Sequence, residues 1–257
     1  MRLQGKIFIS TVSTVKASEI RNVFEPLGAT IVDFPMTRFI ESDNTPEIQT
    51  VLRQIEKYHW IIFTSANGSK YFHHLLSATT GLTAIPRGIK IGVVGPRTAL
   101  ELKNTGRTAN YSGSGGTAES LINELIEKKL VHNCNVLIPL GNLAPDTLQV
   151  SLSEIANATR INVYRTVKSD ISDNGPIDLI KNNSYDLVLF TSPSGVINFS
   201  ETFGPRHMDT ELRFACIGKV TESAAKKCGL SCMITAETST YEGLAKEILN
   251  YYYKIKN

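Results

Sequence analysis

The sequence predicts an α/β protein: two doubly wound parallel-sheet domains built from an internal tandem repeat. Three observations carry that expectation. Short apolar runs alternate with helix-like segments along the whole chain. Several of those runs are apolar throughout, as strands covered by helices on both faces are. Finally, five blocks of residues recur in one order at a separation of 123 to 129, about half of the 257-residue chain.

The elements follow in order. Strands are expected over 6–10, 30–34, 60–64, 90–94, 136–140, 160–166, 186–191, 213–217 and 231–234. Helical segments are expected after most of them, including Ala17–Leu27, Ala118–Lys129 and Glu242–Tyr252. In the last of these, Leu244, Ile248 and Tyr251 recur at helical spacing and form one apolar face. Trp60–Ser65 resembles Leu187–Ser192 at an offset of 127. Ile91–Gly95 resembles Phe214–Gly218, and Thr117–Leu121 resembles Thr240–Leu244, both at 123. Ile7–Ile9 resembles Val136–Ile138, and Ile31–Phe34 resembles Arg160–Val163, both at 129. Chance likeness between α/β segments does not produce five ordered matches at nearly one offset.

Composition narrows the function. Apolar residues make up 42% and charged residues 20%, which excludes a disordered chain. The net charge of +3, with basic residues scattered, argues against a nucleic-acid binder. No apolar stretch approaches the roughly 18 residues of a membrane span. Met1–Lys6 does not read as a signal peptide. Cys134, Cys216, Cys228 and Cys232 form no C-x-x-C pair and read as reduced thiols, so a cytoplasmic protein is expected, by default a monomer.

Ligands of open α/β sheets bind at the carboxyl ends of strands. Here those ends carry Thr64-Ser65-Ala66-Asn67-Gly68, Gly95-Pro96-Arg97-Thr98, Thr191-Ser192-Pro193-Ser194-Gly195 and Gly218-Lys219-Val220-Thr221. A turn from strand into helix offers free N–H groups and the positive end of a helix dipole, which suit a carboxylate or phosphate. Taken singly, each hydroxyl also reads as a helix cap. Gly113-Ser114-Gly115-Gly116-Thr117-Ala118 formally satisfies G-x-G-x-x-A. It comes late in its repeat and has no acidic partner about 20 residues on, so it reads as a flexible anion-accepting loop or a plain loop. His73-His74 reads as a packed or exposed pair rather than metal ligands, and Trp60 as core. No acid/base carboxylate pair stands out. Tyr164 breaks the repeat, since its counterpart is Pro35, and is either a functional residue or an ordinary strand tyrosine.

The ordered motifs Ile61–Gly68, Val93–Ala99, Gly116–Leu121, Val163–Thr166, Phe190–Val196 and Ala215–Gly218 together resemble the uroporphyrinogen-III synthase family over nearly the whole chain. The resemblance implies one lobe from 1–34 plus 169–257, a second from 41–159, and a two-stranded β linker at 35–40 and 160–168, so that the repeats exchange their first βα units. It implies cofactor-free cyclisation of linear hydroxymethylbilane to uroporphyrinogen III, with loss of water and inversion of the last ring. It implies that Tyr164, in the V-Y-x-T motif, donates a hydrogen bond to the leaving hydroxyl. Ser65, Asn67, Thr98, Gly116, Thr117, Ser192, Ser194 and Thr221 would hold substrate carboxylates, with Arg97, Arg165 and Lys219 nearby. One departure stands out: Leu140–Asp146 lacks the two arginines common in that segment of the family. A non-catalytic binding protein for an anionic small molecule is the competing expectation, and a nucleotide-dependent enzyme using Gly113–Gly116 is another.

Overall fold

The structure, a computed structural model, describes residues 3–171, 173–204 and 212–255. The chain forms two units: one from Met1–Arg38 with Val167–Asn257, the other Phe39–Thr166.

The first unit holds β1 (Ile7–Ser10), α1 (Ala17–Phe24) and β2 (Thr30–Asp33) from the start of the chain. From its second half come α7 (Gly175–Lys181), β9 (Leu187–Phe190), α8 (Pro193–Phe203), β10 (Phe214–Cys216), α9 (Lys219–Lys227), β11 (Ile234–Thr235) and α10 (Tyr241–Ile255). Its sheet runs in the order β11-β10-β9-β1-β2, with every neighbouring pair parallel. The continuous apolar strands are explained by cover on both faces. Phe8, Leu187, Leu189 and Ala215 face Ile20, Phe24, Leu244 and Ile248 of α1 and α10. Ile9, Val188, Phe190 and Phe214 face Phe199 and Phe203 of α8. There Phe190 meets Phe199 edge-on at 5.2 Å and Phe214 at 5.4 Å.

The second unit contains α2 (Pro46–Arg53), β4 (Trp60–Phe63), α3 (Ala66–Thr80), β5 (Lys90–Val93), α4 (Pro96–Asn104), β6 (Tyr111–Ser112), α5 (Ala118–Glu127), β7 (Asn135–Gly141) and α6 (Thr147–Ser153). The boundary between units falls inside two strands, β3 (Thr37–Glu41) and β8 (Asn157–Lys168). The sheet order is β3-β8-β7-β4-β5-β6. From β8 to β6 the printed registers are parallel. β3 lies antiparallel to β8: the Ser42 N–H donates to Val163 O and the Ser169 N–H to Met36 O. Ile61, Phe63, Ile91, Val93 and Leu137 pack on Leu52, Phe72, Leu75 and Leu76. On the other face, Ile62, Val136 and Ile138 pack on Leu121, Leu125 and Leu152. Trp60 is core, and its indole N–H donates to Leu130 O at 3.0 Å.

Two expectations need correction. The strand expected over 231–234 begins only at Ile234, because Gly229, at φ +77°, ends α9 and the next residues return the chain to the sheet edge. The loop at 113–116 is not free, because Ser114 is bonded to the Glu124 carboxylate. β6 and β3 were not among the apolar runs: Tyr111-Ser112 is short and half polar, and Thr37-Arg38-Phe39-Ile40-Glu41 is polar at both ends.

Both units have a strand order that reverses direction, and such a reversal opens a crevice at the strands' carboxyl ends. In the first unit it lies between β1 and β9, in the second between β7 and β4.

Candidate functional site

At the second unit's reversal point, β4 ends into α3. Ser65 is extended (φ −153°), and its hydroxyl accepts the Gly68 N–H at 3.0 Å. This cap leaves the first N–H groups of α3 for solvent or a ligand. Gly68 lets the turn approach β7, since a Cβ there would lie 3.1 Å from Pro139 O. Asn67, half-buried, makes no side-chain hydrogen bond among the described residues.

Tyr164, on β8, lies against the end of β7 and stacks on Tyr71 of α3, the helix that this turn begins. A bulge places it there: Leu140 pairs with Asn162, but Gly141 pairs with Tyr164, so Val163 is the extra residue. The ring is half-buried. It meets Phe39 edge-on at 5.7 Å and stacks on Tyr71 at 5.7 Å. Tyr71 is fixed in turn by donating its hydroxyl to Phe39 O at 3.0 Å. Burial, helped by Glu41 and Tyr164, pushes the Tyr71 hydroxyl's pKa up, so it stays a neutral phenol. The Tyr164 hydroxyl makes no hydrogen bond to a described residue and is available as a donor.

The loop after β7 is braced from the next strand. Arg160, on β8, donates to Ala144 O at 2.8 Å, to Asp146 Oδ1 at 2.6 Å and to Gly141 O at 3.2 Å. A guanidinium therefore does enter Leu140–Asp146, although no arginine lies within it. Arg165 reaches Asp43 at 3.4 Å, and its Nε is buried without a partner among the described residues.

Further along the same sheet edge, Gly95 precedes α4 at its N-cap, and Thr98 in the first turn is 5% exposed. At β6 the Gly-rich loop is clasped by Glu124. That carboxylate accepts from Ser114 N (3.0 Å), Ser114 Oγ (2.9 Å), Ser120 Oγ (3.0 Å) and the Tyr111 hydroxyl (2.8 Å). With Tyr111 the largest cause, these donors hold its pKa down at about 2. The protein's own carboxylate thus already takes the Ser114 N–H that a dinucleotide phosphate would need. Gly116 (φ +70°) and Thr117, which caps α5 through Ser120 N at 3.1 Å, lie exposed just beyond the clasp.

The first unit repeats the theme. Ser192 caps α8 through Gly195 N at 3.1 Å, and Ser194 Oγ lies 3.2 Å from Ser192 Oγ. Gly195 lies close to two hydroxyls, since a Cβ there would be 3.2 Å from Ser192 Oγ and 3.4 Å from Thr11 Oγ1, just beyond β1. Thr221, three residues after the Gly218 cap, is 3% exposed. Thr240 caps α10 through Gly243 N at 3.0 Å.

Within the second unit, Tyr164, Ser65 with Asn67, Thr98, and Gly116 with Thr117 line one edge, at the ends of β7, β4, β5 and β6. Ser192, Ser194 and Thr221 line the edge of the first unit at β9 and β10. The sequence reading missed Ser10, Thr11 and Ser13 at the end of β1, which are buried; Thr11 donates to Leu189 O at 2.8 Å. Three hydroxyls in four residues after the first apolar run were the available signal. Gly141 and Arg160 were missed as well. Both edges offer neutral hydrogen-bond donors at strand ends, an arrangement suited to binding a polycarboxylate.

Residues 18–246 match the family model described as uroporphyrinogen-III synthase HemD. A relative in Ruminiclostridium josui, a porphyrin biosynthesis protein HemD, is 28% identical over 225 residues. That alignment covers 87% of this chain but 44% of the relative, so the chain spans less than half of that protein. The uroporphyrinogen-III synthase of Chlorobaculum parvum is 25% identical over 87% of this chain and 90% of its own length. The fold is similar to that of uroporphyrinogen-III synthetase from Helicobacter pylori 26695, with a TM-score of 0.59 at 15% identity over 96% of this chain and 99% of that one.

Proposed function

The chain belongs to the uroporphyrinogen-III synthase family, and from that premise we propose that it closes linear hydroxymethylbilane to uroporphyrinogen III, with loss of water and inversion of ring D. The reaction needs little acid or base strength from the protein. Breaking the carbon–hydroxyl bond leaves an azafulvene on the substrate, and the departing oxygen leaves as water once a proton reaches it. The substituted α-carbon of ring D, a nucleophilic pyrrole carbon, then attacks the electrophilic azafulvene carbon, giving a spiro intermediate. That intermediate opens on the other side of ring D and recloses inverted. The protein's tasks are to assist departure, hold the chain folded and block direct closure. These are tasks of orientation and pre-placed donors.

Tyr164 is assigned to the departing hydroxyl. The observation that carries this is its phenol, without a partner among the described residues, held against Gly141 at the end of β7 and stacked on Tyr71 of α3. Ser65, Asn67, Thr98, Gly116, Thr117, Ser192, Ser194 and Thr221 are assigned to substrate carboxylates. Neutral N–H and O–H donors at helix starts can bind several carboxylates without a strongly basic surface, in keeping with the net charge of +3. The reaction is proposed to use no metal or organic cofactor. Among the described residues no helix is long and apolar enough to cross a membrane. A cytoplasmic monomer is the proposed working form, supported by the four free cysteines and by basic residues scattered along the sequence.

The test is turnover of freshly made hydroxymethylbilane. Type III product in proportion to protein supports the proposal. Type I product at the uncatalysed rate, with folded protein, refutes it.

A further inference from the structure

We propose that Gly141 is a positioning residue for Tyr164: the missing side chain at 141 is what allows the tyrosine ring to lie against the end of β7. The inference rests on the function proposed above. A Cβ on Gly141 would lie 2.5 Å from Cζ of Tyr164, 2.6 Å from Cε2 and 2.9 Å from the hydroxyl oxygen. All three are closer than van der Waals contact allows. The contact is at the ring's hydroxyl end, so alanine would displace the one atom assigned to the reaction. The requirement is steric rather than conformational, since Gly141 is not among the residues with positive φ.

Neither partner can easily yield. Gly141 is a ladder residue of β7, and Arg160 holds its carbonyl at 3.2 Å. The Asn142 N–H donates to Tyr164 O at 3.1 Å, and Asn142 Oδ1 accepts the Thr166 N–H at 2.9 Å, which ties the two strand ends together. The ring itself is bounded by Phe39 and Tyr71. With a methyl group at 141, the ring must turn away from β7, because the backbone beneath it is fixed on both sides.

The experiment is Gly141→Ala, alone and combined with Tyr164→Ala, in the full chain. Misplacing a reacting group by about 1 Å costs on the order of 100-fold in rate, so kcat should fall by about that factor while KM stays within about twofold. With the ring already absent, adding Gly141→Ala should change neither kcat nor the melting temperature. Uniform 3-fluorotyrosine labelling, with the Tyr164 line assigned from Tyr164→Phe, reads the ring directly by fluorine NMR; Gly141→Ala should move that line. If Gly141→Ala fails to fold alone but folds with Tyr164→Ala, the steric contact is supported in the same way. An unmoved fluorine line with wild-type kcat would overturn the inference. So would equal damage, or equal failure to fold, in the Tyr164→Ala background, or a rise in KM alone. A wild-type protein without turnover would remove the proposed function, while the fluorine line and the melts would still report whether Gly141 sets the ring.

Discussion

Replacing Tyr164 in two steps separates the chemistry of its hydroxyl from the packing of its ring. The hydroxyl has no hydrogen-bond partner among the described residues, so Tyr164→Phe leaves nothing buried and unpaired. Stability should change by no more than about 0.5 kcal/mol. The ring contacts a T-shaped Phe39 and a stacked Tyr71, both at 5.7 Å, and lies on Gly141. Complete truncation of a buried aromatic costs about 3–5 kcal/mol. For a half-buried ring with two aromatic neighbours, Tyr164→Ala should cost about 2–3 kcal/mol. Both variants lose the same proton donor, a contribution worth about 100-fold or more in rate. The expected pattern is therefore two variants equally slow, to within a few-fold, with only the alanine variant melting early. Urea denaturation followed by circular dichroism gives the stabilities, and initial rates on fresh hydroxymethylbilane give the turnover. Wild-type turnover by Tyr164→Phe would refute the assignment of its hydroxyl. A large loss of stability in that variant would show that the hydroxyl has a structural partner.

Other outcomes follow from the same geometry. Ser65→Ala and Ser192→Ala each remove a cap bonded to the N–H of the third residue of its helix, so each should cost about 1 kcal/mol in denaturant melts and also weaken substrate binding, seen as a raised KM; a cap variant with unchanged KM would exclude that turn from the binding site. His73 stacks on Phe63, donates its Nδ1–H to Ser69 O at 2.8 Å and has a buried Nε2 without a partner among the described residues; burial, with Arg107 adding to it, pushes its pKa below the ordinary 6.5. The unfolded chain then binds the extra proton first, so this group's contribution to stability is complete above pH 6.5 and declines as the pH falls below it. Wild-type protein should lose more melting temperature between pH 7.5 and 5.5 than His73→Phe, and equal losses would show that His73 carries no such burden.

What the sequence revealed depended on how locally each feature is encoded. β4 and β9 were legible because Trp60–Phe63 and Leu187–Phe190 are apolar throughout, as strands between two helical layers must be. Ser65 and Ser192 stood out because a hydroxyl just after such a run, with glycine three residues later, is a local cap pattern. β3 and β6 were not found among these runs, since pairing with a neighbouring strand rather than their own apolarity makes them strands. The Gly113–Gly116 loop looked open because its clasp, Glu124, lies ten residues on, in a helix whose register only folding brings back. Gly141 was invisible for the same kind of reason: its meaning depends on a bulge that sets Tyr164 opposite it, 23 residues away in sequence. Arg160 likewise enters the loop from the adjacent strand, so its side chain acts where the sequence shows no arginine.

Inversion of ring D during macrocycle closure can be followed with hydroxymethylbilane carrying carbon-13 on both sides of the bond between the last bridge carbon and ring D. Inversion breaks that bond and remakes the bridge at the opposite ring position, whereas direct closure leaves it intact. The product should lose the one-bond carbon–carbon coupling in a single turnover with protein in excess. A cyclised product that retains the coupling would mean that the chain closes the ring without inversion.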